Sequence, residues 1–270
     1  MSRRWALVPY IVTVITGTVF PLLMIVYYGF TDRNGAFSLS NILAVFQYAH
    51  IKALGYSLLL SGISTAVCLC LAFPLAIVLK NIGVGRKGFV IFIFILPMWM
   101  NFMLRTMAWQ VILEKGGIIA SFLSVFHIPM IPIINTPAAV VLGMVYDFLP
   151  FMVLPIYNVM LKIDKNVVEA AYDLGASKSI VLRKIIFPLS IPGIASGVTM
   201  VFVPSLTTFV LSNILGGGKI YLIGNIIEQE FTVSANWNLG SGLSLVMMLF
   251  IIVSMMIVSK FDKSGEGGLL

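Results

Sequence analysis

Charge is scarce in this chain. Lys, Arg, Asp and Glu make up 10% of its 270 residues, and only ten of them are acidic. Histidine occurs twice and cysteine twice. His50 and His127 have no partner at ligand spacing, which argues against a metal centre. Cys68 and Cys70 lie two apart in an apolar run, so on a helix they point to different faces. That argues against a disulfide or a thiolate metal site and leaves them as small core residues. No nucleophile–base set is legible, which disfavours a membrane-embedded enzyme. A phosphate-binding loop is also missing. "GGGKI" (Gly216 to Ile220) has Asn213 where the earlier glycine belongs, and Ile220 where Ser or Thr should follow Lys219. The chain is therefore expected to bind no cofactor and to hydrolyse no ATP, and the glycines read as a flexible helix exit.

Apolar residues fill the place of the missing charge. They make up 60% of the chain, and the mean hydropathy is +1.06. A soluble domain sits near 45–50% apolar. A membrane-crossing helix needs about 20 apolar residues, because lipid offers no partner to free backbone groups. Six runs qualify: 5–30, 54–79, 89–113, 137–161, 188–215 and 239–259. The expectation is an all-α, multi-pass membrane protein forming one transmembrane domain over residues 1–270. The first run is too long for a signal peptide and lacks a small-x-small site, so it reads as an uncleaved helix.

Basic residues sort by side. Twelve of the 17 fall on one face: Arg3, Arg4, Lys80, Arg86, Lys87, Lys162, Lys165, Lys178, Arg183, Lys184, Lys260 and Lys263. The positive-inside rule puts that face, with both termini, in the cytoplasm. Spread over four inner segments, the charge fits anionic lipid rather than nucleic acid.

The second inner loop, 162–187, contains "EAAYDLGASKSIVLRKIIFP", Glu169 to Pro188. It reads as two short helices. Asp164 caps the first and Gly175 closes it in a left-handed conformation. Ser177 caps the second, and Pro188 marks the start of the fifth span. Glu169 and Asp173 are four apart on one face, a like-charge spacing that is easier to understand against a donor-rich partner. Ala170, Ala171 and Gly175 would let that partner come close. Read from the residues alone, an amphipathic pair lying on the membrane surface is equally open.

This stretch resembles the EAA loop of ABC-importer permeases: Glu-Ala-Ala, three residues, Gly, nine residues, Ile, one residue, Leu-Pro. Here Glu169, Ala170, Ala171, Gly175, Ile185 and Pro188 match, and Phe187 replaces the Leu. Further stretches resemble the PotB-type branch of spermidine/putrescine importers: "ILPMWMNFMLRTMAW", "TPAAVVLGMVYDFLPFMVLPIY", "PLSIPGIASG", "LIGNIIEQEF" and "NWNLGSG". The resemblance implies a type I ABC-importer permease fold in a bacterial inner membrane. It implies that Glu169 through Gly175 dock on a separate ATPase dimer, which holds ATP and Mg. It also implies a second, PotC-type permease and an external binding protein as partners.

Polar groups inside spans are the candidates for solute contact. Asp147 follows Tyr146 in the fourth run, ahead of Pro150 and Pro155. Its carboxylate should face the bundle interior, either meeting a cationic solute or satisfied by a neighbour. Arg105 is expected to snorkel outward as an anchor. In the fifth run, Gly193 and Gly197 have small-xxx-small spacing for close packing, and Ser205 and Thr208 follow as pathway candidates. Glu228 and Glu230 are read as lying in an external loop, with Trp237 nearby; acids and an aromatic face suit polyamines. Another amine, an oxyanion or iron remains open as cargo, since the EAA loop faces the ATPase. A stand-alone secondary transporter is disfavoured by the lack of an internal repeat.

Overall fold

The computed structural model describes residues 8–82, 96, 98–126 and 133–263. The first part of the expected third span (89–95), the start of the first (5–7), and His127 lie outside the described residues. In chain order the main helices are α1 (Pro9–Gly29), α2 (Tyr48–Asn81), α3 (Phe102–Leu113) and α4 (Ile118–Val125). They continue with α5 (Pro137–Lys162), α6 (Lys165–Asp173), α7 (Lys178–Leu189) and α8 (Ile191–Thr207). The last are α9 (Val210–Leu215), α10 (Ile223–Thr232) and α11 (Trp237–Lys263). Among the described residues, five helical stretches are long and apolar enough to cross a bilayer, or six if α7 and α8 count as one bent span.

Capping sets several of these boundaries. Asn101 Oδ1 accepts from the Met103 and Leu104 amides at 2.9 and 3.2 Å, which starts α3. Thr136 occupies the N-cap of α5 ahead of Pro137. Pro188 stands two residues ahead of the corner at Ser190 that leads into α8. Pro188 sits within α7, and the chain turns by 62° between α7 and α8. Pro192 cannot donate to the Pro188 carbonyl, so the helical ladder is interrupted here. A π-helical turn at Leu182–Ile186 precedes the bend. Ser190, at the corner, returns its hydroxyl to the Ile186 carbonyl at 2.6 Å.

Contacts group the chain into two units. One comprises Tyr56–Leu222 with Val253–Leu270, and α5 is its core. Over half of the most apolar stretch of α5 is buried. Along α8, Gly193 and Gly197 are both buried against α5. A Cβ on Gly193 would meet the Pro155 carbonyl oxygen at 2.9 Å and the Ile156 Cα at 3.0 Å. A Cβ on Gly197 would meet the Met152 Sδ at 2.7 Å. Two missing side chains thus let the helix axes approach. On α2, Ser64 Oγ donates to Met144 Sδ at 3.3 Å. Cys68 Sγ donates to the Val145 carbonyl at 3.8 Å and is buried, but Cys70 is exposed, so only one of the two cysteines is a core residue.

The other unit comprises Met1–Gly55 with Ile223–Ile252. Asn238 Nδ2 donates to the Thr31 carbonyl at 2.7 Å, and Asn41 Nδ2 donates to the same oxygen at 2.8 Å. Gly29 lies against Leu245 and Gly242 against Asn41. His50 is buried, with Nδ1 2.6 Å from the Ala44 carbonyl.

Candidate functional site

The charged loop forms a capped helix with an outward face. Asp164 Oδ1 accepts from the Asn166 amide at 2.9 Å and starts α6. At the other end Gly175 has φ +83°, a conformation that L side chains rarely adopt. Its amide donates to the Tyr172 carbonyl at 2.9 Å, and the Ala176 amide to the Ala171 carbonyl at 3.0 Å, closing the helix in a Schellman turn. Val168 packs inward against the core, while Glu169, Ala170, Asp173 and Gly175 are exposed. Leu174 is 89% exposed, and Tyr172 is exposed beside it. A capped turn thus holds two large apolar side chains outside the core. Ser177 stands at the N-cap of α7 but makes no side-chain capping bond, contrary to expectation. Its ψ of 159° keeps it extended, and the cap position is filled by backbone geometry alone. Ile185 is half-buried in α7 and Pro188 is exposed.

Asp147 is buried, and it meets a partner that sequence reasoning placed elsewhere. Arg105 Nε lies 2.5 Å from Asp147 Oδ1, and both side chains are more than nine-tenths buried. Arg105 therefore turns inward instead of snorkelling. The reason is physical: an ionised carboxylate within a span costs at least about 2.5–3.5 kcal/mol unless it is paired. The guanidinium carbon also lies 5.8 Å from the Tyr146 ring centroid and 5.9 Å from that of Phe102. Tyr146 in turn meets Trp109 edge-on at 5.1 Å. Phe102, Arg105 and Trp109 share one face of α3 at i, i+3 and i+7, a spacing visible in the sequence once Asn101 is known to cap α3.

Tyr146 is 38% exposed and, with Trp109, lines an open apolar groove of about 640 Å³. Leu60, Ile63 and Val67 of α2 also line it. On α8, Ser205 is fully buried, and its hydroxyl has no hydrogen-bond partner among the described residues. Thr208 falls in the extended break between α8 and α9.

The remaining candidates belong to the other unit. Glu228 and Glu230 lie on helix α10, not in a loop. Ile223, Ile226, Ile227 and Phe231 recur at helical spacing there, a pattern that was available in the sequence. Glu228 Oε1 accepts from Thr232 Oγ1 at 3.1 Å. Trp237 starts α11, with its ring 5.5 Å from Phe231 and 6.3 Å from Tyr28. These rings line a groove of about 420 Å³ with Phe20, Pro21, Met24, Ile25 and Ser241.

Residues 2–264 match the family model described as "Binding-protein-dependent transport system inner membrane component". The spermidine/putrescine transport system permease protein PotB of Haemophilus influenzae is 35% identical over 245 residues, covering 86% of each chain. PotB of Escherichia coli is 36% identical over 238 residues, covering 85% of this chain and 86% of that one. In shape, the chain resembles a subunit of a bacterial alginate ABC transporter solved with an alginate pentasaccharide-bound periplasmic protein. That match has a TM-score of 0.79 at 14% identity, over 97% of this chain and 93% of that one. The fold is the type I ABC-importer permease fold.

Proposed function

Because this chain belongs to the family of binding-protein-dependent transport system inner membrane components, we propose that it is the PotB-type permease of a polyamine importer. It forms half of a pathway for spermidine and putrescine, and a PotC-type permease forms the other half. An external binding protein delivers the cargo. A separate ATPase dimer, carrying ATP and Mg, drives the cycle from the cytoplasmic side, where both termini lie. Residues 1–270 act as one permease domain in the bacterial inner membrane.

The observation that carries this reading is the 35–36% identity to two PotB proteins over about 85% of the chain. The exposed face of α6 supports the coupling role. Glu169, Ala170, Ala171, Asp173 and Gly175 form its docking surface, with Ile185 and Pro188 on the helix that leads back to α8. ATP-driven movement of the ATPase pushes on α6 and α7, and the bend at Ser190 passes it to α8. The close fit of Gly193 and Gly197 against α5 transmits a rigid displacement instead of absorbing it. Tyr146, Asp147, Ser205, Thr208, Glu228, Glu230 and Trp237 are the candidate cargo contacts.

The test is reconstitution with the neighbouring ATPase, second permease and binding protein. ATP-dependent uptake of labelled spermidine, competed by putrescine but not by oxyanions or iron, is the expected result. Uptake by the isolated chain without ATP would overturn the importer reading. Uptake of an oxyanion or iron in place of polyamine would overturn the cargo assignment. The variant Glu169→Lys should insert normally yet lose ATPase co-purification and transport.

A further inference from the structure

The surroundings of Arg105 have the chemistry of a binding site for an organic cation. A carboxylate faces the guanidinium at 2.5 Å, and two aromatic rings stand about the same distance from its carbon, 5.8 and 5.9 Å. Carboxylate plus aromatic faces is the combination that recognises alkylammonium groups, through charge and cation–π attraction. Here the cation comes from the chain itself. Pairing explains why Arg105 and Asp147 face one another; it does not require the rings. Tyr146, one of those rings, also lines the open groove, so the box has a wall that a solute in the groove touches.

We propose that Arg105 is the resident occupant of a cation site formed by Asp147, Tyr146 and Phe102, and that a charged amine of the cargo enters by displacing it. The cargo's identity rests on the polyamine reading above. Exchange keeps the buried carboxylate neutralised at each stage, because one organic cation replaces another. Arg105 then acts as a positioning and selectivity residue. A neutral or anionic solute cannot neutralise Asp147 in its place, so the pair disfavours such solutes without any contact specific to spermidine.

The test removes the occupant and offers others. The full-length chain is purified in lipid nanodiscs as wild type, Arg105→Ala, and Arg105→Ala with Asp147→Asn. Thermal unfolding is followed with no addition, with ethylguanidinium, with spermidine, and with sodium at matched ionic strength. Arg105→Ala is expected to melt below wild type and to regain about 4 °C with either organic cation at tenfold saturation. The double variant and wild type should show a much smaller rise, and sodium none. An unfolded Arg105→Ala chain that folds only when either cation is added during purification supports the proposal equally. No rise with either cation, an equal rise in the double variant, or a rise with ethylguanidinium alone overturns it. Uptake by the wild-type complex is scored separately. Rescue by spermidine without wild-type uptake would leave the site standing and remove the polyamine assignment of the cargo.

Discussion

Three glycine-to-alanine substitutions should differ in sign, and the structure sets the order. The substitution adds one methyl group each time and favours a helix interior by about 1 kcal/mol. What the methyl meets decides the rest. At Gly193 it would meet the Pro155 carbonyl oxygen, the Ile156 Cα and the Val159 Cβ at 2.9–3.0 Å, and two of these are backbone atoms that cannot rotate away. Overpacking of that kind costs up to about 3 kcal/mol, leaving a net loss of about 2 kcal/mol. At Gly197 the nearest atom is the Met152 Sδ at 2.7 Å, the end of a flexible side chain, and the Met152 backbone stands farther off at 3.2–3.3 Å. A cost near about 1 kcal/mol then roughly cancels the helical gain. At Gly62 on α2 nothing lies within 4 Å, so the gain of about 1 kcal/mol stands alone. Thermal unfolding of the purified chain in mild detergent reads the series. At about 2–4 °C per kcal/mol, Gly193→Ala should fall by about 4–8 °C, Gly197→Ala should stay near wild type, and Gly62→Ala should rise by about 2–4 °C. If Gly197→Ala falls further than Gly193→Ala, the α5–α8 contact is not arranged as described. A fall at Gly62 would mean that face is packed against something else.

The capped ends of α6 give further expectations. Gly175→Val places a β-branched residue at φ +83° and should destabilise the turn by at least about 1–2 kcal/mol, seen as faster proteolysis of the loop in inside-out vesicles. Gly175→Asn, which tolerates that conformation, should be milder on the same assay. Asp164→Ala removes the cap on the Asn166 amide and should cost α6 about 1 kcal/mol, measured as faster amide exchange confined to its first turn. Replacing Asp147 alone by Leu leaves Arg105 buried beside an apolar side chain and should cost about 3–5 kcal/mol. Adding Arg105→Leu should restore most of that loss in a double-mutant cycle.

Several features were legible because they depend only on neighbours in the chain. Asp164 and Gly175 act within one turn of their own positions, and both stand where capping chemistry places them. Hydropathy marks helices by composition, and spacing alone carried the motif from Glu169 to Pro188. The α10 helix was also within reach, since its isoleucines repeat at helical spacing. Glu228 and Glu230 interrupt that short apolar run and mask the periodicity. The bend at Ser190 follows from two prolines taken together, Pro188 and Pro192.

Length, apolar runs and motif spacing were determined by the sequence itself, because covalent order fixes which side chains recur along a helix. The direction of Arg105 was decided by the tertiary structure alone. A single arginine near an apolar run reaches outward when water is its best partner, and inward when a buried carboxylate is. Which of the two prevails depends on α3 lying beside α5 at the height of Asp147, and no local pattern contains that height.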